Sequence, residues 1–312
     1  MAQASRTDGT RWSGKTFGRL CVIAAALLWS TNGLFVKSHV FDDWPQDVRG
    51  TLLAFWRALF AGMLLLPAVR KPRWDWRLVP MALAFTAMNV TFLQSMTLTT
   101  AANAIWLQST APLWVFLFSL TLYRDARDSR DLVPLVCGLA GAAVILSFEL
   151  RANSLESRAG VGVMLGLLSG VAYAVVVVSM RTLRGHAGPF LVALNHLAAA
   201  ALLAPYFLFV AEPVSGYQLL VLAAFGLFQM GVPYLLFARG LREISGQEAA
   251  ALALLEPVLV PIWVMLTPGG ERPAWWTVAG GALILTGLVV RYVQTKRTAD
   301  VEMANEQSAK PE

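Results

Sequence analysis

Leu28-Trp29-Ser30-Thr31-Asn32-Gly33-Leu34-Phe35-Val36-Lys37 has a counterpart 144 residues further on, Ala172-Tyr173-Ala174-Val175-Val176-Val177-Val178-Ser179-Met180-Arg181. Trp29 lands on Tyr173 and Lys37 on Arg181, and in both stretches the cation closes an apolar run. Further matches extend the correspondence outward. Ala111-Pro112 lands on Glu256-Pro257 with an offset of 145, Gly141-Ala142 on Gly281-Ala282 with an offset of 140, and Pro67 on Pro205 with an offset of 138. The offsets drift only by loop lengths, so the chain is one structural unit written twice.

The units are apolar. Hydrophobic residues make up 57% of the 312 and charged residues 14%, against roughly 45–50% and about 25% in soluble domains. The excess is concentrated in ten runs, at 19–37, 52–69, 78–97, 102–122, 132–149, 160–180, 188–210, 217–238, 247–267 and 274–293. Each is long enough for a hydrocarbon core of about 30 Å. Inside lipid the backbone must satisfy its own hydrogen bonds, so the runs are predicted to be helices. Little chain remains for a soluble domain. A duplicated set of membrane helices is the pattern of secondary transporters, whose substrate site lies at the repeat interface. Arg11, Lys15 and Arg19 before the first run imitate the start of a signal peptide. The run continues past Ala24–Ala26 to Val36 without a processing point, so it is read as an uncleaved span.

A net charge of +6 would suit a nucleic-acid binder, but the positions of the charges do not. With the N-terminus inside, nineteen Lys and Arg fall in inner segments, and only Lys37, Arg49, Arg151, Arg158 and Arg272 fall outside. This is the positive-inside bias, and it places both termini in the cytoplasm of a multi-pass inner (plasma) membrane protein. The bilayer is then the partner of the basic residues, and nucleic acid is not. Cys21 and Cys137 lie within spans and read as buried free thiols. The predicted organisation is a cytoplasmic segment at 1–18, a first repeat at 19–149, a second at 160–293 and a disordered cytoplasmic tail at 294–312. Trp44, Trp74, Trp76, Trp275 and Trp276 stand at span ends, as interface anchors do.

Five spans per repeat is an odd number, so the second repeat starts from the opposite side of the membrane. The fold class is therefore all-α, with ten transmembrane helices as two inverted five-helix repeats. Small residues at Gly138, Gly141, Ala142, Gly280, Gly281 and Gly287 suit close helix packing, and also the face of a homodimer. Over residues 18–293 the chain resembles the drug/metabolite transporter superfamily in its EamA-type branch. The stretches that carry the resemblance are Leu27-Leu28-Trp29-Ser30-Thr31-Asn32, Trp56-Arg57, Thr110-Ala111-Pro112-Leu113, Leu255-Glu256-Pro257-Val258 with Gly270-Glu271-Arg272, and Gly280-Gly281-Ala282-Leu283-Ile284-Leu285. Tyr123-Arg124-Asp125 departs from it, standing where such proteins often repeat the Gly-Glu turn. The resemblance implies an inner-membrane exporter of a small metabolite, with helices one, three, four, six, eight and nine around the cavity.

Among acidic residues, only Glu256 falls in the middle of a span. A carboxylate there costs roughly 2.5–3.5 kcal/mol on insertion scales, so it is paired, neutral or functional. Glu256 is a candidate for proton coupling or polar contact with substrate; the structural alternative is a neutral side chain hydrogen-bonded to a neighbouring helix. Its repeat mate is Ala111, so any proton role is asymmetric. Pro112 and Pro257 remove backbone donors and kink their helices. Arg57 either meets a substrate carboxylate or snorkels to the headgroups. Its mate is Asn195, and the adjacent His196 reads as a helix–helix hydrogen-bonding residue. Trp29, Asn32, Asn89, Gln94, Gln108, Tyr173, Gln229 and Tyr234 are the polar and aromatic candidates for the cavity wall; the alternative for each is helix glue.

There is no Gly-rich loop ending in Lys-Ser/Thr and no spaced cluster of the three His, so neither a nucleotide nor a metal cofactor is expected. No nucleophile–base–acid set points to an enzyme. The function expected is secondary transport, in the direction of export, of a small organic metabolite such as an amino acid or aromatic compound, by alternating access. The alternatives are a lipid-modifying membrane enzyme and a non-transporting scaffold or receptor. Asp125, Asp128 and Asp131, the acidic cluster such an enzyme would need, alternate with Arg124, Arg127 and Arg130 and neutralise themselves.

Overall fold

A computed structural model describes residues 14–69, 72–119, 121, 132–210 and 213–308. Tyr123-Arg124-Asp125 and the alternating Asp/Arg loop lie outside the described residues, as does most of the segment expected at 1–18. Among the described residues ten helices follow one another. α1 runs Gly14–Ser30 and continues after Thr31 as Asn32–Val36. α2 is Gln46–Leu65 and α3 is Leu78–Leu98. α4 comes in two pieces, Ala101–Gln108 and Ala111–Phe118. α5 is Leu132–Ala152, α6 is Arg158–Thr182 and α7 is Gly188–Val210. α8 is Gly216–Ala224 and Val232–Gly240, joined by the π-helical segment Phe225–Gly231. α9 is Gly246–Ala253 and Leu255–Met265, and α10 is Trp275–Ser308. Among the described residues, nine of these carry a stretch long and apolar enough to cross a bilayer. α4 is broken after Gln108, and the described residues around it end at 121.

The packing follows the duplication. α3 lies along α6, α5 along α10, and α2 along α7. α1 rests on α8 and on both pieces of α9; α6 rests on α3 and on both pieces of α4. Exchanging the two halves maps this pattern onto itself, as two inverted five-helix repeats require. Local chemistry repeats with it. The Thr100 hydroxyl accepts from Asn103 N (3.1 Å) to cap α4, and 145 residues on the Ser245 hydroxyl accepts from Glu248 N (3.2 Å) to cap α9. Capping by these side chains satisfies one of the orphan amides of each first turn. Gly18 and Gly162, 144 residues apart, let α1 and α6 approach the backbone at Gly240 and at Leu98–Thr99 respectively.

Three boundaries and one anchor residue depart from the sequence reading. α1 begins at Gly14, five residues early. α2 begins at Gln46, where Asp47 faces the positive helix end and Arg49 folds back to donate to the Trp44 carbonyl (3.0 Å). Arg49 is thus a buried helical residue and not a loop cation. Trp44 is no interface anchor: it is 2% exposed and packs on Phe41 with ring centroids 5.0 Å apart. Trp74, Trp76 and Trp275 are exposed. Finally, α10 runs through Ser308, so the tail read as disordered from 294 is helical over most of its length. Gln294–Ser308 contains neither Gly nor Pro, and its Lys, Arg, Glu, Gln and Ala favour helix over coil.

Small residues set the α5–α10 crossing. A Cβ on Gly141 would lie 2.5 Å from the Gly280 carbonyl oxygen and 2.7 Å from the Ile284 side chain, and one on Gly280 would lie 2.6 Å from the Gly141 carbonyl oxygen. Gly281 makes room for the Trp106 indole, and Gly287 for Cys137. These glycines are therefore occupied by contacts within the chain. Gly141→Ala is expected to cost about 1–3 kcal/mol as overpacking and to lower the melting temperature in detergent. Gly138→Ala, whose Cβ would stop 3.9 Å from Leu113, is expected to leave it unchanged.

Candidate functional site

Between the repeats lies a cavity of about 640 Å³. Every helix except α5 contributes to its wall, so α2, α7 and α10 join the six the sequence indicated. It reaches the end of α6 at Met180, the end of the apolar part of α10 at Tyr292, and the starts of α7 and α9 at Val192 and Gln247. Gln247 and Ala250 are exposed at its rim. All these points belong to one end of the bundle, the end where α1 begins. The opposite end is sealed. Phe41 is fully buried there, and Gln218 at the start of α8 donates to the Val40 carbonyl (2.9 Å) and to Asp43 (3.0 Å).

Helix breaks deliver polar groups to this space. Pro112, Pro233 and Pro257 each remove an amide donor, leaving the carbonyl four residues earlier without its helical partner. Those carbonyls belong to Gln108, Gln229 and Ala253, and all three residues line the cavity. Gln229 sits in the π-helical segment and anchors it by donating Nε2 to the Trp29 carbonyl (3.0 Å).

Most of the predicted site residues converge. Trp29, Asn32, Arg57, Gln108, Tyr173, Gln229, Tyr234 and Glu256 line the cavity, together with Pro112 and Pro257. Trp29 meets Tyr234 edge-on at 5.3 Å and Phe237 at 5.4 Å. Glu256 lies within electrostatic range of Arg57, Tyr173 and Tyr234. Among the described residues no side-chain hydrogen bond or ion pair engages its carboxylate, which is only half-buried.

Arg57 does not snorkel. It is 2% exposed, its Nη2 donates to Asn89 Oδ1, and its guanidinium stands 5.3 Å over the Phe225 ring. Asn89 is therefore behind the wall: it also donates to the Ala54 carbonyl (3.1 Å) and orients Arg57. Gln94 is away from the cavity altogether, donating to the Gln46 (2.8 Å) and Asp47 (3.1 Å) carbonyls at the start of α2. His196 is buried and bonded to Val192 O of its own helix (2.8 Å), with its ring against Phe85 and Tyr234. Asn195 does reach the wall.

The sequence reading missed Gln247, Arg291 and Tyr292. Arg291 stands at the end of the last span, where the charge pattern counted it as a topology signal. In the fold it lines the cavity and donates to the Pro112 carbonyl (3.2 Å), which ties α10 to the break in α4.

Four wall residues share a further property. Asn32 Oδ1, Arg57 Nη1, Asn195 Oδ1 and Gln229 Oε1 are buried without a hydrogen-bond partner from the described residues. Buried polar atoms are rarely left so, and an unmet group in a wall of this kind asks for a reason. Arg57 and Asn195 are also repeat mates.

Comparison with known proteins agrees with this architecture. The chain is 26% identical over 281 residues to an uncharacterized transporter of Archaeoglobus fulgidus, covering 88% of this chain and 96% of that protein. It is 23% identical over 231 residues to an uncharacterized transporter of Clostridium kluyveri, covering 72% and 74%. A solved crystal structure superposes with a TM-score of 0.62 at 22% identity, over 91% of this chain and 99% of that one, which shows a shared fold. The EamA-like transporter family matches twice, at residues 16–147 and 160–293, one match for each repeat, and the chain belongs to that family.

Proposed function

We propose that this transporter is a secondary exporter, working by alternating access in the inner membrane, for a small organic solute that carries a carboxylate, such as an amino acid or aromatic compound. The observation that carries this reading is the set of unmet polar atoms in the wall of a cavity that is otherwise mostly aromatic and aliphatic. Arg57 offers a fixed cation with one free arm, and the carbonyl oxygens of Asn32, Asn195 and Gln229 offer acceptors for an ammonium or amide. These four atoms are closed off in this conformation, so binding in this scheme requires the side chains to rotate toward a ligand. Trp29, Tyr173, Tyr234 and Phe237 supply the apolar face. A volume of about 640 Å³ falls within the roughly 300–1,000 Å³ of small-molecule sites.

The bias of basic residues puts the ends of the chain in the cytoplasm, and the open end of the cavity lies on that side. The conformation is then one that loads from the cell interior, as export requires. Glu256 is the coupling group in this scheme. Its half-buried carboxylate faces the cavity without a partner, so it can hold a proton in one state and release it in the other. No counterpart exists at Ala111, so one repeat alone carries the coupling.

Counterflow of labelled amino acids in proteoliposomes tests the reading, and absence of saturable movement of any of them would remove this substrate class. Arg57→Gln is expected to raise the half-saturating concentration of a carboxylate substrate about 10- to 100-fold, from the roughly 1.5–3 kcal/mol of a charged hydrogen bond. The carboxamide analogue of the substrate should be unaffected by the same change. Glu256→Gln is expected to leave counterflow in place and abolish the response to an imposed pH gradient. A preserved response would exclude Glu256 as the coupling group.

A further inference from the structure

On the sealed end of the bundle, Lys37 closes α1 and Glu271 lies in the link between α9 and α10. Lys37 Nζ stands 2.5 Å from Glu271 Oε1 and donates to the Thr99 carbonyl at the end of α3 (2.7 Å). The other Glu271 oxygen, Oε2, accepts from Ala101 N at the first turn of α4 (2.9 Å). Each charge thus also meets the helix end that favours it: the cation sits at the C-terminus of α1 and the anion at the N-terminus of α4. Four elements from both repeats are bound through two side chains that are 20% and 29% exposed. A pair of this kind is better shielded than an ordinary surface ion pair, which contributes little.

The duplication supplies the contrast. Lys37 corresponds to Arg181, at the end of α6 on the open side. Arg181 is exposed and donates to a hydroxyl, Ser119 Oγ (3.1 Å). The same position therefore holds a shielded ion pair where the bundle is closed and an exposed cation where the cavity opens. Inverted repeats alternate by exchanging such environments.

From this contrast we infer that Lys37 and Glu271 form the latch that keeps the far side of the cavity shut, and that the pair must separate for the cavity to open there. The inference rests on the alternating-access reading above, but it concerns the position of a conformational equilibrium and can be read without transport. Removing the latch raises the population of the state open on the Lys37 side.

The experiment uses full-length protein with Cys21 and Cys137 replaced by Ala and a single probe, Met88→Cys, in the cavity wall. A small membrane-impermeant methanethiosulfonate reagent is supplied only on the Lys37 side of oriented proteoliposomes. Lys37→Met and Glu271→Gln should each raise the labelling rate about tenfold, and the double variant should raise it no further, because the two act as one unit. Charge reversal at both positions is not a useful rescue, since a lysine at 271 could not accept from Ala101 N. Unchanged labelling in both single variants would overturn the latch, and so would independent, multiplying effects. Counterflow in the same vesicles reports separately on transport, so failure of the latch and failure of the transport reading are distinguishable.

Discussion

A helix that breaks inside a membrane exposes backbone groups that lipid cannot satisfy, so a break is tolerated only where protein or a cavity lies beside it. That constraint organises this molecule. Thr31 interrupts α1, Ser109-Thr110 interrupt α4, Leu254 interrupts α9, and the π-helical turns of Phe225–Gly231 distort α8. All four helices border the central cavity, and no break opens onto the lipid-facing α5. The prolines that follow three of the breaks are thus part of the same arrangement as the polar residues at the wall. Together they put carbonyl, amide and guanidinium groups into a space that is otherwise aromatic and aliphatic.

The repeat gives this arrangement its two-sided character, and the departures from it give the molecule its chemistry. Caps at Thr100 and Ser245, close approaches at Gly18 and Gly162, and aromatics at Trp29 and Tyr173 keep the two halves alike in shape. Arg57 against Asn195 and Glu256 against Ala111 make them unlike in charge. Shape symmetry allows two states of similar energy, while the charge asymmetry gives the two sides of the cavity different electrostatic character.

Much of this was legible in the chain. Hydropathy showed the spans, and fixed offsets showed the duplication, because both depend on the contrast between lipid and water that composition reports directly. The rotation of each helix about its axis was not legible. Asn89 and Gln94 are polar residues in the same span, five apart, and both looked like wall residues; one faces Arg57 and the other the start of α2. Polarity marks a residue as turned away from lipid without saying which neighbour it meets. The starts of α1 and α2 were misplaced for a related reason: Lys15, Asp47 and Arg49 read as loop, yet helix ends accommodate charge. The π-helical segment left no trace beyond Gly226, Gly231 and Pro233, which have other uses elsewhere.

The pairing of Arg57 with Asn89 bears on how the chain enters the bilayer. An arginine well inside a span carries an insertion cost of roughly 2.5–3.5 kcal/mol when its helix is alone. Its partner is on the very next helix, 32 residues later, and that partner is itself held by the Ala54 carbonyl of α2. α2 therefore has part of its compensation within its own hairpin, and α2 and α3 are suited to leave the insertion machinery as a single unit, with one hydrogen bond to Arg57 in place before the second repeat has been synthesised.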